Sequence, residues 1–304
     1  MIVIVCPGQG SQTPGFLEPW LPLIGTELRE LSDAAGIDLV QHGVHSDADT
    51  IRDTAVAQPL LVAAGVLTLN LILADGRRDA VAGIAGHSVG EITAAAGAGI
   101  LSAPDALRFV RERGLAMQAA AAAEPTGMSA VLGWDEAALL ARLDELGLEA
   151  ANFNGGGQIV VAGALDALAT LAAQPPARAR VIPLNVAGAF HTRYMRPAVD
   201  RLQAVAAELP TADPSLSIWT NHDGSLVSTG DQFMKLLVGQ VSSSVRWDSC
   251  MESFAAANVT GIIEVAPAGA LVGMAKRALR GVPSVAVKTP DDLPAAFALI
   301  DQHS

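Results

Sequence analysis

The fold is decided by the stretch Val81-Ala82-Gly83-Ile84-Ala85-Gly86-His87-Ser88-Val89-Gly90-Glu91-Ile92-Thr93-Ala94-Ala95-Ala96. It begins with a short apolar run, continues with Gly-x-Ser-x-Gly and ends in residues that favour helix. A strand, this pentapeptide and a helix in that order are typical of a nucleophile elbow, whose serine projects from a sharp turn. The amide after the serine then lies at a helix N-terminus, where it can stabilise an oxyanion. The stretch predicts Ser88 as a nucleophile, with an ordinary surface turn as the alternative.

The composition limits the class of protein. The chain has 304 residues, of which 51% are hydrophobic and 4% aromatic, so it can bury a large α/β core. Its formal net charge is −12, and without a long Lys/Arg run we expect no nucleic-acid partner. The two cysteines, Cys6 and Cys250, form no metal or disulfide pattern. We therefore expect a cytoplasmic protein without a metal site.

Two apolar segments need separate explanations. The N-terminal segment Ile2–Cys6 has no basic region before it and meets Pro7-Gly8, so it does not resemble a signal peptide. The longer segment from Thr54 to Ala74 is apolar enough for a membrane span, but Gln58, Pro59 and Asn70 interrupt it. We expect it to be a core helix, and we expect no membrane partner.

The order of elements predicts an α/β core with an insertion. A first strand, several helices and the strand before Ser88 favour a parallel sheet. From Thr126 to Val186 the pattern changes to strand, helix, two strands around Asn154–Gly157, helix and strand. This βαββαβ order is that of a ferredoxin-like unit. We expect residues 1–124 and 188–304 to form the core and residues 125–187 to form the small subdomain.

A serine nucleophile needs a base, and the chain has six histidines. His191 follows the small-residue loop Val186–Phe190 at a strand end and precedes a helix, where α/β proteins present functional side chains. From spacing alone, a base and a packing or capping role are equally supported for His191. The other histidines are less suited: His42 and His45 in a polar segment, His87 projecting from the residue before the serine, His222 in the hairpin signature Asn221-His222-Asp223-Gly224, and His303 beside the C-terminus.

Several motifs together resemble the malonyl-CoA:acyl-carrier-protein transacylase family of bacterial type II fatty acid synthesis. They run in order from Ile2 to Lys288, so the resemblance covers nearly the whole chain. The matching segments are Pro7-Gly8-Gln9-Gly10-Ser11-Gln12, Ala57-Gln58-Pro59, Gly86-His87-Ser88-Val89-Gly90-Glu91, Arg113-Gly114 with Met117-Gln118, Asn152-Phe153-Asn154 through Gly157-Gln158, Gly188-Ala189-Phe190-His191 with Met195-x-Pro197-Ala198, Gln240 with Val245-x-Trp247, and Glu264-Val265 with Lys276-Arg277.

The resemblance implies an α/β-hydrolase-like core with a parallel sheet and the ferredoxin-like insert. It also implies transfer of malonyl from malonyl-CoA to the phosphopantetheine thiol of an acyl carrier protein, through a malonyl ester on Ser88. His191 would move the protons, and the backbone amides of Gln9 and Val89 would form the oxyanion hole. The carbonyl of Gln240 would orient the histidine in place of a carboxylate. No metal or redox cofactor is implied, because phosphopantetheine belongs to the partner.

The resemblance also implies how the substrate is chosen. Arg113 would bind the malonyl carboxylate through paired hydrogen bonds; without the resemblance, an arginine on a solvated helix face is the better interpretation. Gln58 and Asn154 would join it in substrate binding. Phe190 and Val89 match malonyl-selective relatives, since a ring near the α-carbon crowds a methyl group.

Carrier docking and the departures from the family pattern complete the prediction. Lys276 and Arg277 fall on positions associated with docking of an acidic carrier, the alternative being a solvated helix face. The family's Asn-Pro before Val245 is replaced by Ser243-Ser244, which puts the orientation of His191 in question, and Ala266 and Ala268 replace glycines. We expect a monomer. The competing functions are an acyltransferase serving a polyketide synthase, a serine hydrolase and an inactive carrier-binding scaffold.

Overall fold

The computed structural model describes residues 1–133 and 135–302; His303 lies outside the described residues. The strands are β1 Ile2–Cys6, β2 Val81–Gly86, β3 Thr126–Leu132, β4 Glu149–Gly155, β5 Gln158–Ala164, β6 Arg180–Leu184, β7 Ser217–Trp219, β8 Leu226–Val227, β9 Val245–Arg246, β10 Gly261–Glu264 and β11 Ser284–Ala286. The α-helices are α1 Leu21–Ala35, α2 Thr54–Leu73, α3 Gly90–Gly97, α4 Ala103–Ala121, α5 Glu136–Leu146, α6 Leu165–Ala173, α7 Arg196–Glu208, α8 Gly230–Gln240, α9 Trp247–Ala256, α10 Ala270–Ala278 and α11 Leu293–Asp301.

In the described part of the chain, the main sheet has six strands in the order β11-β10-β1-β2-β7-β8. The pairs from β11 to β7 are parallel, and β8 runs antiparallel, in a hairpin with β7. Buried apolar side chains cover both faces of β1, as expected for a central parallel strand between helices. Cys6 at the end of β1 lies opposite Gly86 at the end of β2. The two loops that follow these strands therefore start side by side.

A second sheet of five strands has the order β6-β3-β5-β4-β9. Its first four strands pair antiparallel and, with α5 and α6, follow the order βαββαβ. Their own core includes Val131, Leu139 and Leu171. The edge strand β9 pairs parallel with β4 through Asn152 and Val245. A strand from outside residues 125–187 thus completes the small sheet, which the sequence pattern did not indicate.

Helix α2 is the long apolar segment of the sequence. It spans 20 residues with a mean hydropathy of 2.0 over its most apolar window, and 83% of that window is buried inside the protein. Its N-cap Asp53 accepts a hydrogen bond from the amide of Ala55, and Pro59 lies within the helix. The helix packs mainly against α4, in the position of a core helix.

Candidate active site

The nucleophile elbow joins β2 to α3, and Ser88 adopts a left-handed backbone with φ of +53°. This conformation is uncommon for any residue with a side chain, and it is typical of strained functional turns. Gly86 and Gly90 flank this turn, and neither position has room for a side chain. A Cβ on Gly86 would lie 2.0 Å from the carbonyl carbon of Gly90, and a Cβ on Gly90 would lie 2.1 Å from the carbonyl oxygen of Cys6. The backbone of the turn therefore packs closely both on the end of β1 and within the turn.

His191 lies beside the nucleophile. Its Nε2 is 2.7 Å from Ser88 Oγ, and its Nδ1 is 2.9 Å from the carbonyl oxygen of Gln240. A carbonyl only accepts hydrogen bonds, so Nδ1 carries the proton and the Nε2 lone pair faces the serine hydroxyl. Burial, together with the nearby Arg113 guanidinium, lowers the pKa of His191 to about 3. The imidazole is therefore neutral at physiological pH and able to accept a proton.

The segment after Gln240 keeps the histidine's acceptor in place. The amide of Ser243 donates to the Gln240 carbonyl over 3.1 Å, and the Ser244 hydroxyl donates to the carbonyl of Ala150 over 2.6 Å. His191 is also fixed by its own amide, which donates to the carbonyl of Val241 over 3.0 Å. Two serines in place of the family's Asn-Pro thus leave the Gln240 carbonyl directed at His191.

The expected oxyanion hole consists of two backbone amides, those of Gln9 and Val89. Gln9 follows β1, Val89 follows Ser88, and both residues line the cleft beside Ser88. The loop of Gln9 packs on the elbow so closely that a Cβ on Gly8 would lie 2.9 Å from the His87 carbonyl oxygen. Within the described residues, neither the Gln9 nor the Val89 amide donates to a protein acceptor. Both N–H groups are thus available to a ligand oxygen.

Arg113 brings a buried cation to the serine. It lies on α4 with only 1% of its surface exposed. One terminal nitrogen donates to Gln58 Oε1 and the other to Gln240 Oε1, both over 2.7 Å, and the second nitrogen is 3.4 Å from Ser88 Oγ. Its Nε has no protein partner among the described residues. Burial lowers the pKa of Arg113 to about 10, so the guanidinium remains charged at neutral pH.

Two residues that the sequence did not assign a role complete the elbow. The Asn221 side chain accepts from the Ser88 amide and donates to the Gly86 carbonyl, both over 2.7 Å. Its backbone amide donates over 2.6 Å to the carboxyl of Glu91. The hairpin signature at Asn221-His222-Asp223-Gly224 did predict a turn between paired strands, but nothing in it indicated contact with Ser88.

A cleft of about 550 Å³ opens over Ser88 between the two sheets. Phe190 and Val89 line it, as does Asn154 from the small sheet. The Asn154 side chain, however, is 2.9 Å from Nε2 of the buried His87, which packs edge-on against Trp247. In this structure Asn154 therefore supports the elbow from the cleft wall.

Lys276 and Arg277 lie outside the cleft. Both are exposed near the end of α10, while Leu271 and Met274 of the same helix line the cleft. The Arg277 side chain packs over Gly156 in the β4–β5 turn. Across residues 1–133 and 135–302, no group of three or more His, Cys, Asp or Glu side chains is arranged to hold a metal ion.

The arrangement suits acyl transfer through a covalent intermediate. A hydroxyl faces a neutral imidazole, two amides without a protein acceptor among the described residues belong to residues that line the cleft, and a cation lies next to the hydroxyl. An acyl group with a carboxylate close to its carbonyl carbon would place the carboxylate at the cation and the carbonyl at the hydroxyl.

Comparisons with known proteins agree with this chemistry. A family model described as "Acyl transferase domain" matches residues 3–290. A malonyl CoA-acyl carrier protein transacylase of Mycobacterium tuberculosis is 50% identical over 299 residues, covering 96% of this chain and 98% of that protein. The protein of that name from Escherichia coli K12 is 33% identical over 304 residues, covering 97% of this chain and 98% of its own length.

Solved structures give the same result. The crystal structure of MCAT from Mycobacterium tuberculosis matches with a TM-score of 0.95 and 49% identity, covering 98% of this chain and 99% of that one. A malonyl-transacylase in complex with a type II PKS acyl carrier protein matches with a TM-score of 0.91 and 28% identity, covering 98% of this chain and 99% of that one.

Proposed function

This chain belongs to the acyl transferase domain family, among its malonyl-CoA:acyl carrier protein transacylases, and we propose that it works by ping-pong transfer through a malonyl ester on Ser88. The observation that carries this mechanism is the contact of 2.7 Å between Ser88 Oγ and His191 Nε2. A serine within hydrogen-bond distance of a neutral imidazole can be deprotonated as it attacks a thioester.

In the first half-reaction, Ser88 Oγ attacks the malonyl thioester carbon while His191 Nε2 takes the hydroxyl proton. The carbonyl oxygen becomes an oxyanion, which the amides of Gln9 and Val89 stabilise; removing one such donor typically costs ~10²–10³ in rate. The carbon–sulfur bond then breaks, and His191 returns the proton to the departing coenzyme A thiolate. The Gln240 carbonyl stabilises the imidazolium formed in between, because it accepts a hydrogen bond from the Nδ1–H group.

In the second half-reaction, the phosphopantetheine thiol of the carrier occupies the place of coenzyme A. His191 accepts the thiol proton, and the thiolate attacks the ester carbon. The carbon–oxygen bond to Ser88 then breaks, and His191 returns the proton to Ser88 Oγ. Acyl and proton steps are therefore both supplied by side chains and backbone of one chain. A monomer suffices for this sequence of steps, and no metal or redox cofactor takes part.

Arg113 selects the acyl group in this proposal. The malonyl carboxylate is one methylene from the carbonyl that Ser88 attacks, and an Arg113 nitrogen lies 3.4 Å from Ser88 Oγ. The carboxylate would take hydrogen bonds from Arg113 beside Gln58. Phe190, only 7% exposed and on the cleft wall, would crowd a methyl group on the α-carbon. The substrate is accordingly malonyl-CoA in preference to acetyl-CoA or methylmalonyl-CoA.

The carrier docks at the rim of the cleft next to α10. Lys276 and Arg277 are exposed there, and an acidic carrier would be attracted to them. Reversing both charges to Glu should raise KM for the carrier ~10-fold or more while acylation of Ser88 by malonyl-CoA stays within ~3-fold of wild type. Equal rates of transfer to the carrier in the double variant would contradict this docking site.

The carrier is that of cytoplasmic fatty acid synthesis. The relative in complex with a polyketide carrier is 28% identical to this chain, whereas the mycobacterial transacylase is 50% identical. A panel of holo carriers from fatty acid and polyketide systems, compared by kcat/KM, would test this assignment. A polyketide carrier that is malonylated fastest would overturn it.

The test of the mechanism is intact mass after brief mixing with malonyl-CoA. Wild type should gain one malonyl group and lose it on addition of holo carrier. Ser88→Ala should gain none, whereas Ser11→Ala, which alters another serine lining the cleft, should keep the label. Steady release of coenzyme A without labelling would indicate a hydrolase, and neither labelling nor release would indicate a scaffold.

A further inference from the structure

Glu91 is a buried carboxyl group that the transfer steps do not use. It lies in the first turn of α3 with 1% of its surface exposed. Burial raises the pKa of Glu91 to about 7, while hydrogen bonds and the Arg113 charge act in the opposite direction. A buried carboxylate is costly unless donors surround it. The identity of those donors indicates what the group does.

The first oxygen of Glu91 binds Asn221, the residue that holds the backbone of Ser88. Oε1 accepts the backbone amide of Asn221 over 2.6 Å. The Asn221 side chain in turn accepts the Ser88 amide and donates to the Gly86 carbonyl. Asn221 is fully buried, so these contacts are shielded from bulk solvent. The left-handed backbone of Ser88 is thereby tied to Glu91 through one residue.

The second oxygen of Glu91 binds Gln240, the residue that contacts both His191 and Arg113. Oε2 accepts the side-chain amide of Gln240, whose nitrogen also donates to the Ser88 carbonyl over 3.0 Å. The side-chain oxygen of Gln240 accepts a hydrogen bond from Arg113, and its backbone carbonyl accepts one from His191 Nδ1. One glutamine therefore contacts the arginine, the histidine and the serine backbone.

We propose that Glu91 is a positioning residue that fixes Ser88, His191 and Arg113 in one geometry by fixing Asn221 and Gln240. This inference rests on the proposed function, since it concerns the rate of Ser88 malonylation. Glu91 itself has no contact with Ser88 Oγ, and it lies outside the residues that line the cleft. It acts through the direction in which it holds the Gln240 amide.

The direction of that amide is determined by its neighbours. Arg113 offers only donors, so Gln240 must turn its oxygen toward Arg113 and its nitrogen toward Glu91. In Glu91→Gln, one of the two acceptor oxygens becomes an NH₂ group. That NH₂ group would face either the side-chain NH₂ of Gln240 or the backbone N–H of Asn221, and both of these are donors. Rotating the Gln240 side chain to relieve the first conflict would turn its nitrogen against the guanidinium. No orientation of the two amides satisfies all four groups.

Exchanging the pair restores most of the pattern. In the double variant Glu91→Gln/Gln240→Glu, the new glutamine can accept from Asn221 and donate to the new glutamate. The new glutamate can still accept from Arg113, and the backbone carbonyl that meets His191 is unchanged. The bond to the Ser88 carbonyl is lost, and a carboxylate oxygen faces that carbonyl instead. A merely space-filling role for Glu91 would not produce recovery by exchange.

The experiment measures single-turnover malonylation of Ser88 by intact mass, together with kcat and KM, for the two single variants and the double. Each single variant should malonylate ~10-fold or more slowly than wild type, mainly through kcat. The double variant should be faster than either single variant. The control Glu124→Gln, which changes an exposed carboxyl in the same way, should match wild type.

Wild-type rates in Glu91→Gln would overturn the inference, as would a double variant whose loss equals the product of the single losses. If Glu91→Gln does not fold, Gln240→Glu and the double variant decide the question by the same comparison. A wild-type protein that gains no malonyl group would instead refute the proposed function, so the two failures are distinguishable.

Discussion

Arg113→Ala provides the sharpest test of substrate choice. The wild-type guanidinium is 1% exposed and lies 3.4 Å from Ser88 Oγ. Truncation removes the cation but leaves the hydroxyl, the imidazole and the Gln240 carbonyl in place. The substrate therefore loses its carboxylate partner, whereas the groups that make and break bonds remain. Malonyl-CoA and acetyl-CoA should respond in opposite ways.

The magnitude follows from the hydrogen bonds lost. A hydrogen bond to a charged group contributes about 1.5–3 kcal/mol, so a carboxylate held by two loses about 3–6 kcal/mol. At about 1.4 kcal/mol for each factor of ten, kcat/KM for malonyl-CoA should fall ~10²–10⁴-fold. Acetyl-CoA has no carboxylate to lose, and in the variant it no longer leaves a buried guanidinium without a carboxylate partner. The preference for malonyl over acetyl should fall by at least ~10²-fold.

The assay is transfer to a holo carrier from each thioester under subsaturating conditions, with labelling of Ser88 measured by intact mass. Arg111→Ala, an exposed arginine of the same helix, is the matched control and should retain wild-type selectivity. Thermal unfolding of both variants checks that the protein is folded. Equal losses for malonyl and acetyl, or malonyl transfer within ~3-fold of wild type, would refute the role of Arg113.

Three further outcomes are expected. Folding lowers the pKa of His191 to about 3 from ~6.5 in an unfolded chain, so the unfolded state binds this proton more readily and stability falls as pH drops below 6.5. Between pH 6.5 and pH 5, the free energy of unfolding measured in urea should therefore fall about 2 kcal/mol less for His191→Gln than for wild type. An unchanged pH dependence would contradict the pKa shift. Phe190→Ser should raise kcat/KM for methylmalonyl-CoA relative to malonyl-CoA ~10-fold or more, since the buried ring lines the cleft; an unchanged ratio in a competition assay would place the α-carbon elsewhere. Gly90→Ala should lose more than ~3 kcal/mol in denaturant unfolding because its Cβ would meet the Cys6 carbonyl at 2.1 Å, whereas Gly273→Ala on α10, with open space around its Cβ, should be neutral or gain up to ~1 kcal/mol.

Local signals in the sequence predicted the elbow and the fold class. The apolar run, the two glycines and the helix-forming residues after Ser88 correspond to β2, the turn and α3. These features depend on neighbours in the chain, and so does the βαββαβ order between Thr126 and Leu184. The mixed α/β fold with a parallel main sheet is confirmed by the solved relatives. The edge strand β9 was missed because a two-residue strand has no periodicity of its own.

The site depended on contacts that periodicity does not encode. Asn221 is 133 residues from Ser88 and reaches it because β7 lies next to β2 in the main sheet. Glu91 has the pattern of an ordinary acidic residue in a helix's first turn. Arg113 lies on α4 near two exposed arginines, Arg108 and Arg111, and its burial distinguishes it from them. The resemblance to a family, and not residue spacing, identified Arg113 before the structure was considered.

The edge strand β9 has a mechanical consequence. Gln240, whose carbonyl holds His191, is separated from Val245 by only four residues, and Val245 is hydrogen-bonded into the small sheet beside Asn152. Moving the small sheet away from the main sheet would therefore pull on the short segment 240–245 and shift the carbonyl that holds the imidazole. The small sheet cannot swing as a free lid while the base stays aligned. We therefore expect a long pantetheine arm to enter through side-chain and loop movements at the cleft mouth.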